Sequence, residues 1–185
     1  MDSTKRAVLI VAAAFVLVAA AIGIYVYVGE KPPVATGEIV KFDVVPIHTQ
    51  MRVGEGAQGI EGGMDTYDQL LVLAQIKLHN QTNIPLFLRD MWANVELNNG
   101  DEQRSSAAGQ IDFRNVFTAY SQLAPLKQEP LLPDITLQPG QTTEGLVIFH
   151  YPITKDLWDA RHKFNAVASF RYQNDLVLPW PPEKK

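Results

Sequence analysis

The sequence predicts a mainly β protein: an antiparallel β-sandwich of seven or eight strands with one or two short helices, preceded by a single N-terminal transmembrane helix. Three observations predict it: an uncharged apolar run, a series of alternating segments after that run, and turn residues at regular spacing between those segments. We expect residues 1–6 to form a cytoplasmic tail, 7–28 a membrane anchor, 29–37 a linker, 38–180 the sandwich and 181–185 a loose tail.

The predicted anchor is the run from Ala7 to Val28, which contains no charge, no amide and no proline. At about 1.5 Å per residue its helix would be roughly 33 Å long, enough to cross a hydrocarbon core of about 30 Å. Lys5 and Arg6 precede the run, and positively charged flanks stay in the cytoplasm. The N-terminus is therefore expected inside and the rest of the chain outside.

A cleaved signal peptide is the alternative interpretation of the same run. Its apolar region is normally about 7–15 residues, which is shorter than the run seen here. The alanines at 19–21 nevertheless offer small residues for a cleavage site. The anchor is the preferred interpretation, and the cleaved peptide stays open.

Charge and cysteine content restrict the class of protein. Without Asp2, Lys5 and Arg6 the chain has 14 basic and 19 acidic residues, a net charge of −5. A mildly acidic domain is a poor candidate for binding nucleic acid or anionic lipid, so no nucleic-acid partner is expected. The chain has no cysteine. Disulfides, thiolate catalysis and cysteine metal sites are therefore excluded, and a domain held by its core alone is typical of a bacterial envelope.

The linker contains Pro32 and Pro33, which favour an extended spacer. Residues 39–47 then alternate, with Val40, Phe42 and Val44 on one predicted face of a half-buried strand.

A glycine-rich stretch separates this strand from the next one. It contains a G-x-G-x-x-G pattern, but a dinucleotide site needs that pattern to open a helix, and here more glycine and another strand follow. We expect a long loop between two strands and consider it the candidate partner-binding loop, since loops of this length are often functional. The candidate residues are Gly54, Glu55, Gly56, Gly59, Ile60, Glu61, Gly62 and Gly63.

The strongest strand pattern spans residues 67–80. One predicted face is continuously apolar and consists of Leu70, Val72, Ala74, Ile76 and Leu78. The other face starts apolar with leucines at 71 and 73 and then becomes polar, which favours a central strand of a sandwich. Further strands are predicted at 86–97, as one or two strands, and at 135–137, 142–151, 164–172 and 176–178.

One segment departs from the β pattern. Residues 112–124 carry apolar side chains at helical spacing, so we predict a short helix that lies across one end of the sandwich, with Asp112 as its N-cap. Thr154 is expected to cap a second helical turn that contains Leu157 and Trp158.

The order of turns and strands resembles the immunoglobulin-like, telokin-like extracytoplasmic domains of bacterial lipoproteins and membrane-anchored proteins, whose function is unknown. The matching segments are 72–80 (VLAQIKLHN), 82–87 (TNIPLF), the turn at 99–100, 137–141 (LQPGQ) and 145–152 (GLVIFHYP). The resemblance implies an immunoglobulin-like fold and no catalytic residues. The glycine loop and the helical insert depart from that pattern.

No catalytic motif is present, and we expect no enzyme activity, no catalytic residues, no cofactor and no bound metal. The sequence offers three alternatives to this expectation. The turn at 98–102 offers oxygen ligands for calcium, and His48 lies near Met51 and Met64, which are soft ligands for copper. The third alternative is a surface for stacking a sugar or a peptide, formed by the tryptophans at 92, 158 and 180.

The sequence thus predicts a membrane-anchored extracytoplasmic module with an interaction or structural role. An accessory subunit of a cell-envelope membrane complex is one example of such a role. The predicted location is the bacterial cytoplasmic membrane, with the C-terminal domain outside and a protein partner in the envelope. The alternative is a periplasmic small-ligand or metal-binding module.

Overall fold

A computed structural model of the chain describes residues 3–28, 33–53 and 63–181. The chain divides into two compact units, Met1–Val34 and Ala35–Lys185. The first unit contains helix α1, Ser3–Val28, which includes the segment predicted to be the anchor. Among the residues that the structure describes, no helix has both the length and the apolar character needed to span a membrane.

The second unit is mainly β, as predicted. Its elements in chain order are β1 (Ala35–Val53), β2 (Gly63–Asn80), β3 (Leu86–Glu96), β4 (Glu102–Ser106), α2 (Gln110–Ala119), a 3-10 helix (Ser121–Leu126), β5 (Ile135–Leu137), β6 (Thr142–Tyr151), α3 (Lys155–Asp159), β7 (Lys163–Phe170) and β8 (Leu176–Trp180). Over the described residues, β1, β2 and β6 form one sheet, and β4, β3, β7 and β8 are neighbours in a second sheet in which β5 also pairs with β3. Every pairing is antiparallel.

The continuous apolar face predicted for β2 is confirmed. Its five side chains, from Leu70 to Leu78, are each at most 1% exposed. Because β2 is the middle strand of its sheet, the predicted central position is also correct. Tyr151 of β6 spans the space between the sheets and donates a hydrogen bond from its hydroxyl to the Ala93 carbonyl of β3 at 2.8 Å. Buried side chains of β3 and β7 supply the opposite side of this main core, among them Leu88, Val95, Phe164 and Phe170.

The face predicted for the first strand was wrong at one residue. A register shift between Ile39 and Lys41 marks a β-bulge in β1. The extra residue of a bulge is left out of the alternation, so Val40 is 46% exposed while Ile39 is buried. Phe42 and Val44 lie opposite Ala74 and Val72 of β2, on the core side as predicted.

The helical insert lies on a different surface from the one predicted. It was expected across one end of the sandwich, but α2 and the 3-10 helix pack on the outer face of the β1-β2-β6 sheet. Phe113 and Leu123 from the insert form a second core with Leu71 and Leu73 of β2. This cluster also contains Ile47, Leu146 and Ile148. The outer face of β2 is apolar where the insert covers it, because burial of those leucines stabilises the contact.

The predicted helix caps have different outcomes. Gly109, not Asp112, is the N-cap of α2, and it makes no side-chain capping bond. Asp112 lies instead in the first turn, where a carboxylate interacts favourably with the helix dipole. The cap predicted at Thr154 is confirmed, since its hydroxyl accepts a hydrogen bond from the Leu157 N–H.

A buried amide joins four segments where β2 ends. Asn80 is fully buried, and its Nδ2 donates to the carbonyls of Ile84, Leu137 and Gln138 at 2.8–3.1 Å. Its Oδ1 accepts from both the N–H and the hydroxyl of Thr82. The end of β2, the turn after it, β5 and the turn after β5 therefore depend on one side chain.

Candidate functional site

The two longest strands continue past the rest of their sheet. The ladder between β1 and β2 runs without interruption from Pro46–Leu70 to Val53–Gly63, whereas β6 pairs with β2 only from Leu70 to His79. We call residues 47–53 and 63–69 the hairpin arm. Its seven rungs extend about 24 Å at about 3.4 Å per residue.

The third strand ends at the root of the arm for a local reason. Tyr151 of β6 lies opposite Leu70, and Pro152 follows it directly. The chain bends at Pro152 and Ile153 and then enters helix α3, which Thr154 caps, so β6 pairs with β2 no further than Tyr151. The described residues contain no other strand that pairs with β2 beyond Leu70.

The predicted partner-binding loop is the segment that joins the two strands of the arm in the sequence. Residues 54–62 are outside the described part of the chain, so the structure describes only one member of the candidate set, Gly63. Gly63 opens β2 and lies opposite Val53. The two strands predicted on either side of the glycine-rich stretch pair with each other in this ladder.

The root of the arm is attached to the helical insert by side-chain hydrogen bonds. Gln69 Nε2 donates to the Tyr120 hydroxyl at 3.3 Å, and His150 Nε2 donates to Gln69 Oε1 at 2.7 Å. Ile47, opposite Gln69, is buried in the second core. The insert therefore supports one face of the arm where the arm leaves the sheet.

One rung further along, the two strands are joined on the opposite face. His48 and Asp68 lie opposite each other, and the Nδ1 of the imidazole contacts the carboxylate. Both side chains are solvent-accessible, so this contact adds little stability. Next to it, Tyr67 leaves 54% of its surface exposed. The arm thus presents polar groups and an aromatic ring to solvent.

The residues at the root of the arm were not predicted from the sequence. Gln69, Tyr120 and His150 are far apart in sequence and belong to three elements. No local pattern signals their contact, because it depends on the register of β2 with β6 and on the position of the insert.

The candidate metal ligands do not come together in the described residues. Among these, no group of three His, Cys, Asp or Glu side chains is placed to hold a metal ion. In the turn considered for calcium, the side-chain amide of Asn99 donates a hydrogen bond from Nδ2 to the carboxylate of Asp101 at 2.6 Å. The side chains of Met51 and Met64, considered for copper with His48, lie outside the description.

The tryptophans do not share one stacking surface. Trp158 is 2% exposed and packs in the core against Phe42, which also contacts the half-buried Trp180. Trp92 lies elsewhere, on β3, with the guanidinium of Arg104 4.0 Å from its ring. These rings stabilise the sandwich.

Within the described part of the chain, two titratable groups have displaced pKa values, and both are packed against aromatic rings. Burial raises the pKa of Tyr151, and burial lowers the pKa of Arg161, an effect that the nearby Asp159 carboxylate opposes. The Tyr151 hydroxyl is held by its bond to Ala93, and the Arg161 guanidinium lies 4.4 Å from the ring of Trp158. Both arrangements are structural.

A shallow depression of 230 Å³ lies at the start of β1. It is lined by Thr36, Gly37, Glu38, Lys77 and His79. Glu38 and Lys77 are opposite each other in the ladder, so the depression carries both signs of charge.

Comparison with known proteins gives no family. No family model and no curated protein matches the chain. Among solved structures, the yjhA protein from Bacillus subtilis is similar at 14% identity, with 80% of this chain and 93% of that chain covered and a TM-score of 0.43. A conserved hypothetical protein from Bacillus anthracis is similar at 12% identity, with 80% and 99% covered and a TM-score of 0.31. With TM-scores this low, neither likeness assigns a fold family.

Proposed function

We propose that this chain is a membrane-anchored extracytoplasmic interaction module whose hairpin arm binds a protein partner in the cell envelope. One form of this role is an accessory subunit of a membrane complex. The observation that carries the proposal is the arm itself, in which two strands continue for seven rungs and no third strand of the described part of the chain pairs with them. An isolated two-stranded ribbon is at best marginally stable in water. A contact with a partner would stabilise it.

Two other parts of the proposal rest on the sequence. The apolar run from Ala7 to Val28 supports an anchor in the bacterial cytoplasmic membrane, and Lys5 with Arg6 supports an outside location for the rest of the chain. The order of turns and strands supports an immunoglobulin-like class for the sandwich. We include no enzyme activity and no nucleic-acid partner in the proposal.

The partner is tested with a variant that lacks most of the arm. Replacement of residues 50–66 by an Asn-Gly turn keeps the rungs Ile47–Gln69, His48–Asp68 and Thr49–Tyr67, and with them the contacts of the root. The matched control is Tyr172→Ala, which removes a ring that is 94% exposed elsewhere on the domain. All three proteins are purified from gently solubilised membranes.

We expect the wild-type protein and the control to bring down the same stoichiometric partner, and the shortened variant to lose it while keeping its circular dichroism spectrum. Equal recovery with the shortened arm, or no stoichiometric partner for the wild type, would overturn the proposal.

The location is tested separately. The protein should stay in the membrane fraction through alkaline carbonate, and protease added from outside should digest the chain beyond residue 29. A soluble mature form that starts near Ile22 would contradict the anchor and favour the cleaved signal peptide.

The second candidate function is a small-ligand or metal-binding periplasmic module. The depression at the start of β1 favours it, because Lys77, Glu38 and His79 line one concave surface. We expect EDTA to leave the melting temperature unchanged. A drop of several degrees that one specific ion restores would support this second function instead.

A further inference from the structure

The two edges of the hairpin arm are not equivalent. Pro46 of β1 lies opposite Leu70 of β2. Residues that face each other in an antiparallel ladder alternate between exchanging two hydrogen bonds and exchanging none. Because proline has no N–H, the Pro46–Leu70 rung belongs to the second kind. The backbone groups of Leu70 therefore point away from β1, toward β6.

The same alternation continues along the arm in steps of two residues. The backbone groups of Asp68 and Thr66 point to the side that β6 occupies further down the sheet, and those of His48 and Gln50 point to the free side of β1. On the β1 side, the missing donor of Pro46 disfavours pairing with another strand at the root of the arm. On the β2 side, the outward-pointing residues Leu70, Asp68 and Thr66 all keep their N–H, and among the described residues no further strand pairs with residues 63–69.

We propose that a partner protein adds an extended, lysine- or arginine-bearing segment to the β2 edge of the arm, in line with β6. This inference rests on the proposed function and specifies the surface and the kind of segment. Main-chain hydrogen bonds to an open edge supply affinity in this mode of recognition. The segment would continue the sheet from the point at which β6 ends, at Tyr151.

The charge of the β2 edge indicates which kind of segment binds there. The edge segment 63–69 contains Asp65 and Asp68 and no basic residue. The chain beyond Arg6 is also acidic, with a net charge of −5 from 14 basic and 19 acidic residues. A second copy of the chain would bring the same acidic edge against this one, and like charges on neighbouring strands are destabilising. A cationic strand has the complementary sign.

The test uses two proline substitutions at the same rung. Thr66 and Gln50 lie opposite each other. Thr66→Pro removes an outward-pointing donor from the β2 edge, and Gln50→Pro removes one from the β1 edge. Both variants therefore place the same ring at the same distance from the root, and only the edge differs. Each is made in the full-length chain in detergent, and circular dichroism verifies the fold.

The probe is a fluorescein-labelled extended peptide, TKVKVKT, with TEVEVET as its matched acidic control. Fluorescence anisotropy measures binding, and amide hydrogen exchange by NMR follows Thr66 and Asp68. We expect the cationic peptide to bind the wild type and the Gln50→Pro variant alike, to bind the Thr66→Pro variant at least about tenfold more weakly, and to slow exchange at both amides. The acidic peptide should not bind.

Several results would overturn the proposal: no binding of the cationic peptide, equal loss in both variants, greater loss in Gln50→Pro, or equal binding of the acidic peptide. A dimer in sedimentation that Thr66→Pro dissociates would assign the edge to a second copy. Purification of the membrane partner with the Thr66→Pro and shortened-arm variants distinguishes failure of the strand-addition inference from failure of the proposed function. If the shortened arm loses the partner but Thr66→Pro retains it, the strand-addition inference fails and the proposed function stands.

Discussion

Asn80 offers the sharpest test of how the sandwich is held together. Its amide donates to three carbonyls and accepts two hydrogen bonds from Thr82, and it has no solvent-exposed surface. An amide has two N–H groups, so the three carbonyls share two donors. Asn80→Ala therefore removes about four hydrogen bonds at a net cost of about 1 kcal/mol each. We expect a loss of about 3–5 kcal/mol in the free energy of unfolding.

Asn80→Asp separates the hydrogen bonds from the volume of the side chain. The carboxylate keeps the acceptor for Thr82, but it has no donors and places a negative charge against the carbonyls of Ile84, Leu137 and Gln138. At neutral pH this change should cost more than Asn80→Ala, because a buried charge without donors is poorly solvated. Burial and the carbonyls should raise the pKa of the introduced carboxyl in the folded state.

The sign of the pH dependence follows from that raised pKa. A group whose pKa is higher in the folded state contributes stability below its unfolded value, about 3.9 for aspartate, and loses it as the pH rises. Relative to wild type, the Asn80→Asp variant should therefore recover stability as the pH falls toward 4. The assay is urea titration of residues 35–185 by tryptophan fluorescence at several pH values. A loss below about 1 kcal/mol for Asn80→Ala, or a milder effect of Asn80→Asp at neutral pH, would refute the reasoning.

Three further substitutions test the cores by the same titration. Ile76→Ala should cost about 2–5 kcal/mol, since this side chain is 1% exposed in the main core, and a loss under about 0.5 kcal/mol would show that the face is not buried. Phe113→Ala should cost about 3–5 kcal/mol through the second core, whereas its neighbour Ile111→Ala, 64% exposed, should change little. Gly145→Ala should cost about 1–3 kcal/mol, because a Cβ there would lie 2.6 Å from the Leu131 nitrogen.

The main sheet was predictable because its signal is local. Along β2 the apolar residues recur with a period of two, and a strand has no other way to place five such side chains on one face. The turns were predictable for the same reason. Gly100 follows Asn99 and has a positive φ of 86°, which glycine adopts at little cost.

The bulge in β1 and the strand β4 were not predictable from local pattern. Val40 satisfies the alternation as well as Ile39 does, so only the pairing with β2 decides which one is buried. Strand β4 was missed because its buried position, Ser105, is polar. The Ser105 hydroxyl accepts a hydrogen bond from the His150 N–H, which joins the edges of the two sheets at 2.8 Å. A strand that is stabilised by such a contact has no hydrophobic pattern to detect.

The leucines at 71 and 73 led to the correct prediction that β2 is a central strand, but the central position does not explain why their side chains are buried. Their apolar outer face indicated a central strand, and β2 is central. Their burial, however, comes from α2 and the 3-10 helix, which cover the outer face of the sheet. A strand that is enclosed between two sheets and a strand whose outer face is covered by a helical insert both have apolar residues on both faces. The local sequence pattern therefore does not distinguish them.

This second core also determines where the arm begins. Beyond Leu71 toward the glycine loop, the next outer residue of β2 is Gln69, which bonds to Tyr120 of the insert and to His150 of β6. The insert and the third strand thus end their contacts with β2 at nearly the same rung. Changes in Phe113 or Tyr120 should therefore alter the support of the arm without touching its edge. An effect of such changes on partner binding would act through the arm's position, whereas an effect of Thr66→Pro would act at the contact itself.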